Sequence, residues 1–287
     1  MDRHSCVGAA VAEITGSSIA TSQPLGGGDV AASYRVELDD ARTVFAKTHA
    51  NPPANFFDTE ARGLEWLRAA DAISVPQVLG ASDDPPLLVL QWIDEAQRRP
   101  LDDEAFGAGL AALHHVGANS FGRSDRRTTG SRGLPNEPCD TWADFYATQR
   151  LLPLVQLAAD SHVYHHAQLQ VFESVADRLD VVGGPSEPPA RLHGDLWAGN
   201  RIVDRAGVSW LIDPACHGGH REFDLAMMRL FGGFSQAVFG SYEHVAPLAS
   251  GWEERVELHQ LAPLLVHAIK FGGGYVGAAL EAAKKYR

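Results

Sequence analysis

The stretch that decides the fold is HGDLWAGN, residues 193–200, together with WLIDPA at residues 210–215. It contains Asp195, then Asn200 five residues later, and Asp213 thirteen residues after Asn200. An aspartate held in a histidine-containing turn can accept a proton from a hydroxyl group, and carboxylate and amide oxygens are ligands that Mg²⁺ prefers. This spacing predicts a phosphoryl-transfer centre in which Asp195 is the base and Asn200 and Asp213 hold the metal.

Two further residues are predicted to support this centre. His193 stands two positions before Asp195 and is placed to bond the backbone of the turn, so we expect it to brace the turn rather than to transfer protons. Asp224, in HREFDLAM, is expected to tie the start of a helix to the same turn. Both are therefore structural supports of the site.

The part of the chain before residue 95 has the composition of a small, strand-rich lobe. Residues 33–38 and 43–48 predict a hairpin around a polar turn, and residues 75–82 and 87–93 predict further strands. Helical periodicity dominates from Leu101 onward. We therefore predict an α+β, bilobal fold. A small antiparallel sheet lobe with one main helix covers residues 1–94, and a larger, mostly helical lobe covers residues 95–287.

The main helix of the small lobe carries a charged residue on its apolar face. Residues 56–70 show apolar side chains at helical spacing, and Glu60 falls on the same stripe. A carboxylate in that position costs several kcal/mol unless it is paired. Lys47, at the end of the strand VFAKT, is the expected partner, and such a pair aims an amine at nucleotide phosphates. The alternative has Lys47 reaching solvent and Glu60 at the edge of the stripe.

Three consecutive glycines, Gly26, Gly27 and Gly28, precede the first predicted strand. Backbone amides of a glycine turn can approach a phosphate without a Cβ in the way, so this turn is a candidate nucleotide contact. An ordinary hairpin turn is the alternative.

The role of the arginine-containing loop at residues 117–138 is a second open question. The loop is either solvated or in contact with the acceptor.

Composition excludes several classes of protein. The chain has 287 residues, 45% of them hydrophobic, and a net charge of −12, so a nucleic-acid partner is not expected. Neither a secretory signal nor a run of about 18 apolar residues is apparent, so no membrane association is expected. Three widely spaced cysteines fit reduced thiols, and we expect a cytoplasmic protein, as a monomer or weak dimer. The adjacent histidines and HGGH at 217–220 lack the further ligands that zinc needs.

The motifs resemble those of the fructosamine kinase (ketosamine-3-kinase) family. The similarity runs through LGGGDVAASYRV, the lysine of FAK, WADFYATQRL at 142–151, HGDLWAGN, and GHREFDLAM at 219–227. The resemblance implies a protein-kinase-like fold. It also implies ATP- and Mg²⁺-dependent phosphorylation of the sugar 3-hydroxyl group of ketosamines, either small molecules or protein-bound. The 3-phosphate then decomposes and releases the amine, which is deglycation.

The resemblance also implies roles for individual residues. Gln91, Trp92 and Ile93 would face the adenine, and Trp197 would pack on the ketosamine, with core packing as its alternative. The segment CHGG at 216–219 lacks the aromatic residues often found there in the family, which would change the acceptor pocket.

Two other functions remain open from the sequence. One is a kinase for another small hydroxyl compound, such as an aminoglycoside or an amino-alcohol. The other is a nucleotide-binding module without turnover, which is disfavoured because all five positions of the expected centre are present.

Overall fold

A five-stranded antiparallel sheet dominates the first ninety residues. In the computed structural model, which describes residues 3–26, 31–97, 99–124, 126–128 and 133–287, its strands are β1 (Ile19–Leu25), β2 (Ala32–Leu38), β3 (Thr43–Thr48), β4 (Val78–Asp83) and β5 (Pro86–Gln91). They lie in the order β1-β2-β3-β5-β4. The four strands predicted from the sequence correspond to β2, β3, β4 and β5.

Helices cover both faces of this sheet. They are α1 (Arg3–Thr15) and α2 (Phe56–Arg68). Leu87 and Val89 of β5 pack in one cluster with Val11 of α1, whereas Leu88 and Leu90 pack in the cluster that contains α2. Successive side chains of a strand point to opposite faces, so the uninterrupted apolar run of β5 fits a strand buried on both sides.

Helix α1 was not anticipated from the sequence, which predicted one main helix in this lobe. The signal was nevertheless present, because Val7, Val11 and Ile14 stand at i, i+4 and i+7 and all pack in the same cluster. Small residues fill most of the remaining positions, so the stripe is narrow and its periodicity is easily missed.

The rest of the chain is mostly helical, as predicted, and the predicted fold class is confirmed. Its helices are α3 (Pro100–Val116), α4 (Trp142–Phe145), a π-helix (Tyr146–Leu151), α5 (Leu152–Asp160), α6 (His166–Ala176), α7 (Leu179–Val182), a 3₁₀ turn (Ala198–Asn200), α8 (Glu222–Phe231), α9 (Gln236–Val245), α10 (Trp252–His259), α11 (Leu261–Phe271) and α12 (Gly274–Lys284). Among the described residues, no helix combines the length and apolar character needed to cross a membrane.

Short strand pairs set the geometry of the central turn. The strands are β6 (Arg126–Arg127), β7 (Pro135–Asn136), β8 (Ala190–Leu192), β9 (Arg201–Val203), β10 (Ser209–Leu211) and β11 (His217–Gly219). Strands β8 and β11 pair antiparallel, and so do β9 and β10. The turn at 193–200 therefore leaves β8 and enters β9, and the β9–β10 hairpin returns the chain to Asp213 beside Asn200.

One hydrophobic cluster joins the sheet lobe to the helical part of the chain. It contains Leu64 of α2 and Leu90 of β5 together with Leu110 of α3, Leu225 of α8 and Tyr242 of α9. The connection from β5 to α3 crosses between the two parts at residues 92–99, and our proposed lobe boundary at residues 94 and 95 falls within it. The shared cluster fixes the orientation of α2 relative to α8.

Candidate active site

The expected pair of Lys47 and Glu60 is present. Lys47 lies on the same face of β3 as Phe45, which packs against the cluster that contains α2. Its Nζ lies 3.0 Å from Oε1 and 3.1 Å from Oε2 of Glu60. Both side chains are largely buried, so the ammonium group is held by two carboxylate oxygens rather than directed to solvent.

Asp213 provides a second carboxylate for the same ammonium group. Its Oδ1 lies 2.6 Å from Nζ of Lys47, while the Asp213 side chain is 45% exposed to the cleft. Burial disfavours the charge of Lys47, but the two carboxylates outweigh it and raise the Lys47 pKa. Burial likewise favours the neutral form of Asp213, yet the neighbouring ammonium holds the Asp213 pKa below its ordinary value. Both groups are therefore charged at neutral pH.

The backbone of Asp213 is in the left-handed region, with φ of 51°. This conformation is uncommon for residues other than glycine and costs of order 1 kcal/mol or more. It places the carboxylate at the open end of the β9–β10 hairpin, just after β10. There the backbone N–H of Ile212 donates to the carbonyl of Asn200 at 3.1 Å. The surrounding hydrogen bonds maintain this conformation.

Asp224 and His193, the two predicted supports, both form hydrogen bonds with the turn that carries Asp195 or with the segment beside it. The fully buried carboxylate of Asp224 accepts hydrogen bonds from the backbone N–H groups of His193 at 2.7 Å and Gly194 at 2.9 Å. His193 bonds the carbonyl of Ile212 through Nε2 at 2.9 Å. These bonds join α8, the turn and β10 in one network.

Gly194 meets a steric requirement of this turn. Its φ is 81°, and a Cβ added there would lie 2.1 Å from the carbonyl oxygen of Ala215. Another residue at this position would push the turn away from the segment that follows Asp213. Glycine is therefore needed if Asp195 and Asp213 are to stay close together.

Asp195 and Asn200 are held against each other by the turn. Nδ2 of Asn200 donates to the backbone carbonyl of Asp195 at 2.8 Å and contacts its carboxylate at 3.3 Å. Burial, with a further contribution from the charge of Asp213, raises the pKa of Asp195 to about 7. A base whose pKa lies near the operating pH is well suited to accept and release a proton.

A cavity of about 960 Å³ between the sheet and the helical part brings most of the predicted site residues together. Its lining includes Gly26, Lys47, Glu60, Gln91, Trp92, Ile93, Asp195, Trp197, Asn200 and Asp213. His193 and Asp224 are not part of this lining, but they form hydrogen bonds with the backbone of residues that belong to it. Gly27 and Gly28 lie outside the described residues. The volume is at the upper end of the range for ligand pockets, which suits a site for two substrates.

The end of β5 and the residues that follow it form part of the cavity wall. The backbone N–H of Gln91 donates to the carbonyl of Gln77 at 2.9 Å, and Nε1 of Trp92 donates to Asp94 at 2.8 Å. Ile93 is buried. These contacts anchor residues 91–94 at the cavity edge.

Part of the cavity lining is aromatic, and the sequence predicted only Trp197 among its members; we call this part of the cavity the acceptor end. Trp197 is 43% exposed, which rules out simple core packing, and Phe231 and Phe271 are also exposed at the lining. The ring of His267 lies 4.9 Å from that of Phe231 and 5.5 Å from that of Phe271. Each phenylalanine immediately precedes a glycine run, FGG or FGGG, at the end of a helix, and that pattern could have indicated an exposed aromatic.

The arginine-containing loop reaches the cavity in part. Thr128, Gly133 and Leu134 belong to the lining, whereas the guanidinium of Arg123 lies 5.0 Å above the ring of Trp66. Among the loop's charged residues, Asp125 and Arg132 lie outside the described part of the chain. The loop is thus close enough to the acceptor end to contact a ligand through its uncharged residues.

A buried group of potential metal ligands forms away from this cavity. Ligand atoms of His220, Glu222 and His259 all lie within 4.8 Å of one another. The carboxylate of Glu222, however, accepts hydrogen bonds from Arg255 at 2.8 and 2.6 Å. A guanidinium that occupies both oxygens leaves no free carboxylate ligand, so we interpret the group as an ion-pair network.

The fold and the cavity place this protein in a recognisable class. A candidate base, two candidate oxygen ligands and a paired lysine share one cleft between a sheet lobe and a helical lobe, which is the arrangement of a protein-kinase-like phosphotransferase. The family model described as fructosamine kinase matches residues 5–286. The chain belongs to the fructosamine kinase family.

Individual relatives agree with this assignment. A "probable ketoamine kinase" of Thermus thermophilus is 36% identical over 259 residues, which cover 90% of this chain and 91% of that protein. The crystal structure of a "putative fructosamine-3-kinase" from Thermobifida fusca has a TM-score of 0.91 and 42% identity, covering 98% of each chain. A choline kinase from Streptococcus pneumoniae has a TM-score of 0.69 at 14% identity, covering 99% of this chain and 98% of that one, and shares the fold.

The contacts of Asp224 predict how stability depends on pH. Burial favours its neutral form, but hydrogen bonds, above all from His114, hold the Asp224 pKa below the ordinary value. A carboxylate with a lowered pKa stabilises the folded state above its unfolded pKa of about 4, and the contribution is lost as the pH falls through the lower folded value. Asp224→Asn should therefore lower the free energy of unfolding by about 3 kcal/mol at pH 7.

The measurement is denaturant unfolding of both proteins at pH 7 and below pH 4. The difference between wild type and Asp224→Asn should be largest at pH 7 and smaller in acid. Asp58→Asn is the matched control, because its carboxylate is 45% exposed and forms a surface ion pair with Arg62, and we expect a change within about 0.5 kcal/mol. An Asp224→Asn protein as stable as the control would contradict the bracing role.

Proposed function

We propose that this protein is an ATP- and Mg²⁺-dependent ketosamine 3-kinase. It would phosphorylate the sugar 3-hydroxyl group of fructosamine or ribulosamine adducts, on small amines or on protein lysines, and so lead to deglycation. The observation that carries the proposal is the convergence of Lys47, Asp195, Asn200 and Asp213 on one cavity in a member of the fructosamine kinase family. The scattered cysteines support a reducing, cytoplasmic setting, and a monomer or weak dimer is our working hypothesis for the oligomeric state.

Asp195 is the proposed base. Its carboxylate would orient the 3-hydroxyl group and take its proton as the oxygen attacks the γ-phosphorus and the bond to ADP breaks. A pKa raised to about 7 supports this role, because the proton is accepted readily and released again near neutral pH. The hydrogen bond from Asn200 keeps the carboxylate in one orientation.

The donor set fits a magnesium ion. Nδ2 of Asn200 is engaged by the carbonyl of Asp195, which leaves the amide oxygen as a ligand, and the exposed Asp213 offers a carboxylate. Bound there, Mg²⁺ would neutralise charge on the phosphate oxygens. Lys47, positioned by Glu60, would hold the α- and β-phosphates, with Gln91 to Ile93 beside the adenine.

Trp197 is the proposed acceptor contact. Its indole covers the turn so closely that a Cβ on Gly199 would lie 2.2 Å from the ring, and its other face is exposed at the cavity. A flat aromatic surface suits the apolar face of a sugar or the cationic amine of a ketosamine. Phe231 and Phe271 extend the same aromatic wall.

The first prediction of this proposal concerns the acceptor. Purified protein with Mg²⁺ and ATP should release ADP in the presence of fructoselysine, ribuloselysine or a glycated peptide, and should form a 3-phosphate. Aminoglycosides and amino-alcohols form the comparison panel, because kinases for those acceptors share the fold. If the protein phosphorylates no ketosamine but does phosphorylate a compound of the comparison panel, the proposed substrate class is wrong.

The second prediction concerns Asp195. Asp195→Asn should lower kcat by roughly 10²- to 10⁴-fold, the usual contribution of a general base, while ATP binding is retained. Asp160→Asn, at an exposed position at the end of α5, is the control and should have wild-type kinetics. A wild-type kcat for Asp195→Asn would show that another group accepts the proton.

The third prediction concerns the metal. Asp213→Ala should weaken Mg²⁺-dependent ATP binding, because it removes a proposed ligand. Titration of nucleotide with and without Mg²⁺ separates this effect from the loss of the contact with Lys47, which does not depend on the metal. If Mg²⁺ strengthens ATP binding equally in both proteins, Asp213 is not a ligand.

A further inference from the structure

His217 is a buried histidine at the acceptor end of the cavity to which the proposed mechanism gives no role. It begins β11, opposite Leu192 of β8, and belongs to the cavity lining. Its Nδ1 lies 2.9 Å from the carbonyl oxygen of Ala215. Its Nε2 is buried and has no hydrogen-bond partner among the described residues. A buried polar atom without a partner costs about 1–3 kcal/mol, so it calls for an explanation.

The protonation state of His217 follows from its surroundings. Burial, reinforced by the charge of Arg150, lowers the His217 pKa to about 3, so the ring is neutral at physiological pH. The carbonyl of Ala215 can only accept a hydrogen bond, and therefore Nδ1 carries the proton. Nε2 is then a hydrogen-bond acceptor with a free lone pair.

The ring is held firmly beside the catalytic turn. It stacks on Phe145 with ring centroids 5.2 Å apart and meets Phe223 edge to face at 5.4 Å. A Cβ on Gly194 would lie only 2.9 Å from Nδ1 of His217, so the imidazole lies against the residue that precedes Asp195. A ligand whose hydroxyl group reaches Asp195 therefore places its other groups near His217.

The nearby charges indicate the chemistry of the missing donor. The positive charges of Arg150 and Arg123 act on His217 and disfavour a further cation there. Arg150 itself is buried and also lines the cavity. An ammonium group is thus a poor donor at this point, whereas a neutral hydroxyl group meets no repulsion. A ketose chain carries several hydroxyl groups, and a simple amino-alcohol carries few.

We propose that Nε2 of His217 accepts a hydrogen bond from a sugar hydroxyl group of the acceptor other than the 3-hydroxyl group. His217 is thereby a specificity-determining residue that selects a polyhydroxylated ketose over a small amino-alcohol. The inference rests on the proposed ketosamine kinase function. It deepens that function by identifying which atom recognises the sugar.

The test uses a matched pair of variants and a set of deoxy substrates. His217→Asn places an amide near Nδ1, so it retains a donor for Ala215 but lacks an atom at Nε2, whereas His217→Gln can place its amide oxygen near Nε2. The substrates are fructoselysine and its 4-, 5- and 6-deoxy analogues. The readouts are kcat/KM for the acceptor and KM for ATP.

Wild type should lose about 10- to 100-fold in kcat/KM for one deoxy analogue. His217→Asn should lose a similar factor on fructoselysine and nothing more on that same analogue, because the shared hydrogen bond is already absent. His217→Gln should recover part of the loss, and KM for ATP should be unchanged in both variants. His217→Phe, which keeps the flat ring against Phe145, replaces His217→Asn if the latter does not fold.

Equal losses on every analogue, or wild-type kinetics in His217→Asn, would overturn the role of His217 while leaving the proposed function intact. If wild-type protein phosphorylates no ketosamine, the proposed function fails first and this inference fails with it. Wild-type activity on fructoselysine therefore tests the proposed function, and the kcat/KM values of the His217 variants relative to wild type test the role of His217.

Discussion

The ammonium group of Lys47 is the point at which the two parts of this protein meet. It comes from the sheet and is held both by Glu60, on the helix that packs on the sheet, and by Asp213, which follows the β9–β10 hairpin. Three ionisable groups lie together at the cleft, and the charge of each is costly to bury without the others. Together with the shared hydrophobic cluster, these hydrogen bonds hold the sheet in place relative to the catalytic turn.

Several features of the fold were predictable because they depend on local sequence. The two hairpin strands β2 and β3, the amphipathic helix α2 and the turn HGDLWAGN are each defined by residues close together in the chain. Even the pairing of Lys47 with Glu60 could be expected, since an isolated charge on either apolar face would be unfavourable. The spacing from Asn200 to Asp213 was informative because a short hairpin brings its two ends together.

The acceptor end of the cavity could not be predicted in the same way. Phe231 ends α8, Phe271 ends α11 and His217 begins β11, so their proximity depends on how distant helices and strands pack. Neither residue type nor spacing distinguishes His217 from His220, although one lines the cavity and the other lies in an ion-pair network. Among the described residues, His217, His220 and His259 each have a buried ring nitrogen without a hydrogen-bond partner, and only the packed structure shows that His217 is the one of these three that lines the cavity.

The packing of α1 has a consequence for the order in which the small lobe folds. Val11 and Ile14 lie against β4 and β5, and a Cβ on Gly80 would come within 2.7 Å of Ile14. The first helix of the chain thus completes its contacts only with strands that are synthesised more than sixty residues later. Contacts so distant in sequence form late because the loop between them must close first. On the ribosome, α1 therefore has to wait for β5 before the outer face of the sheet is covered.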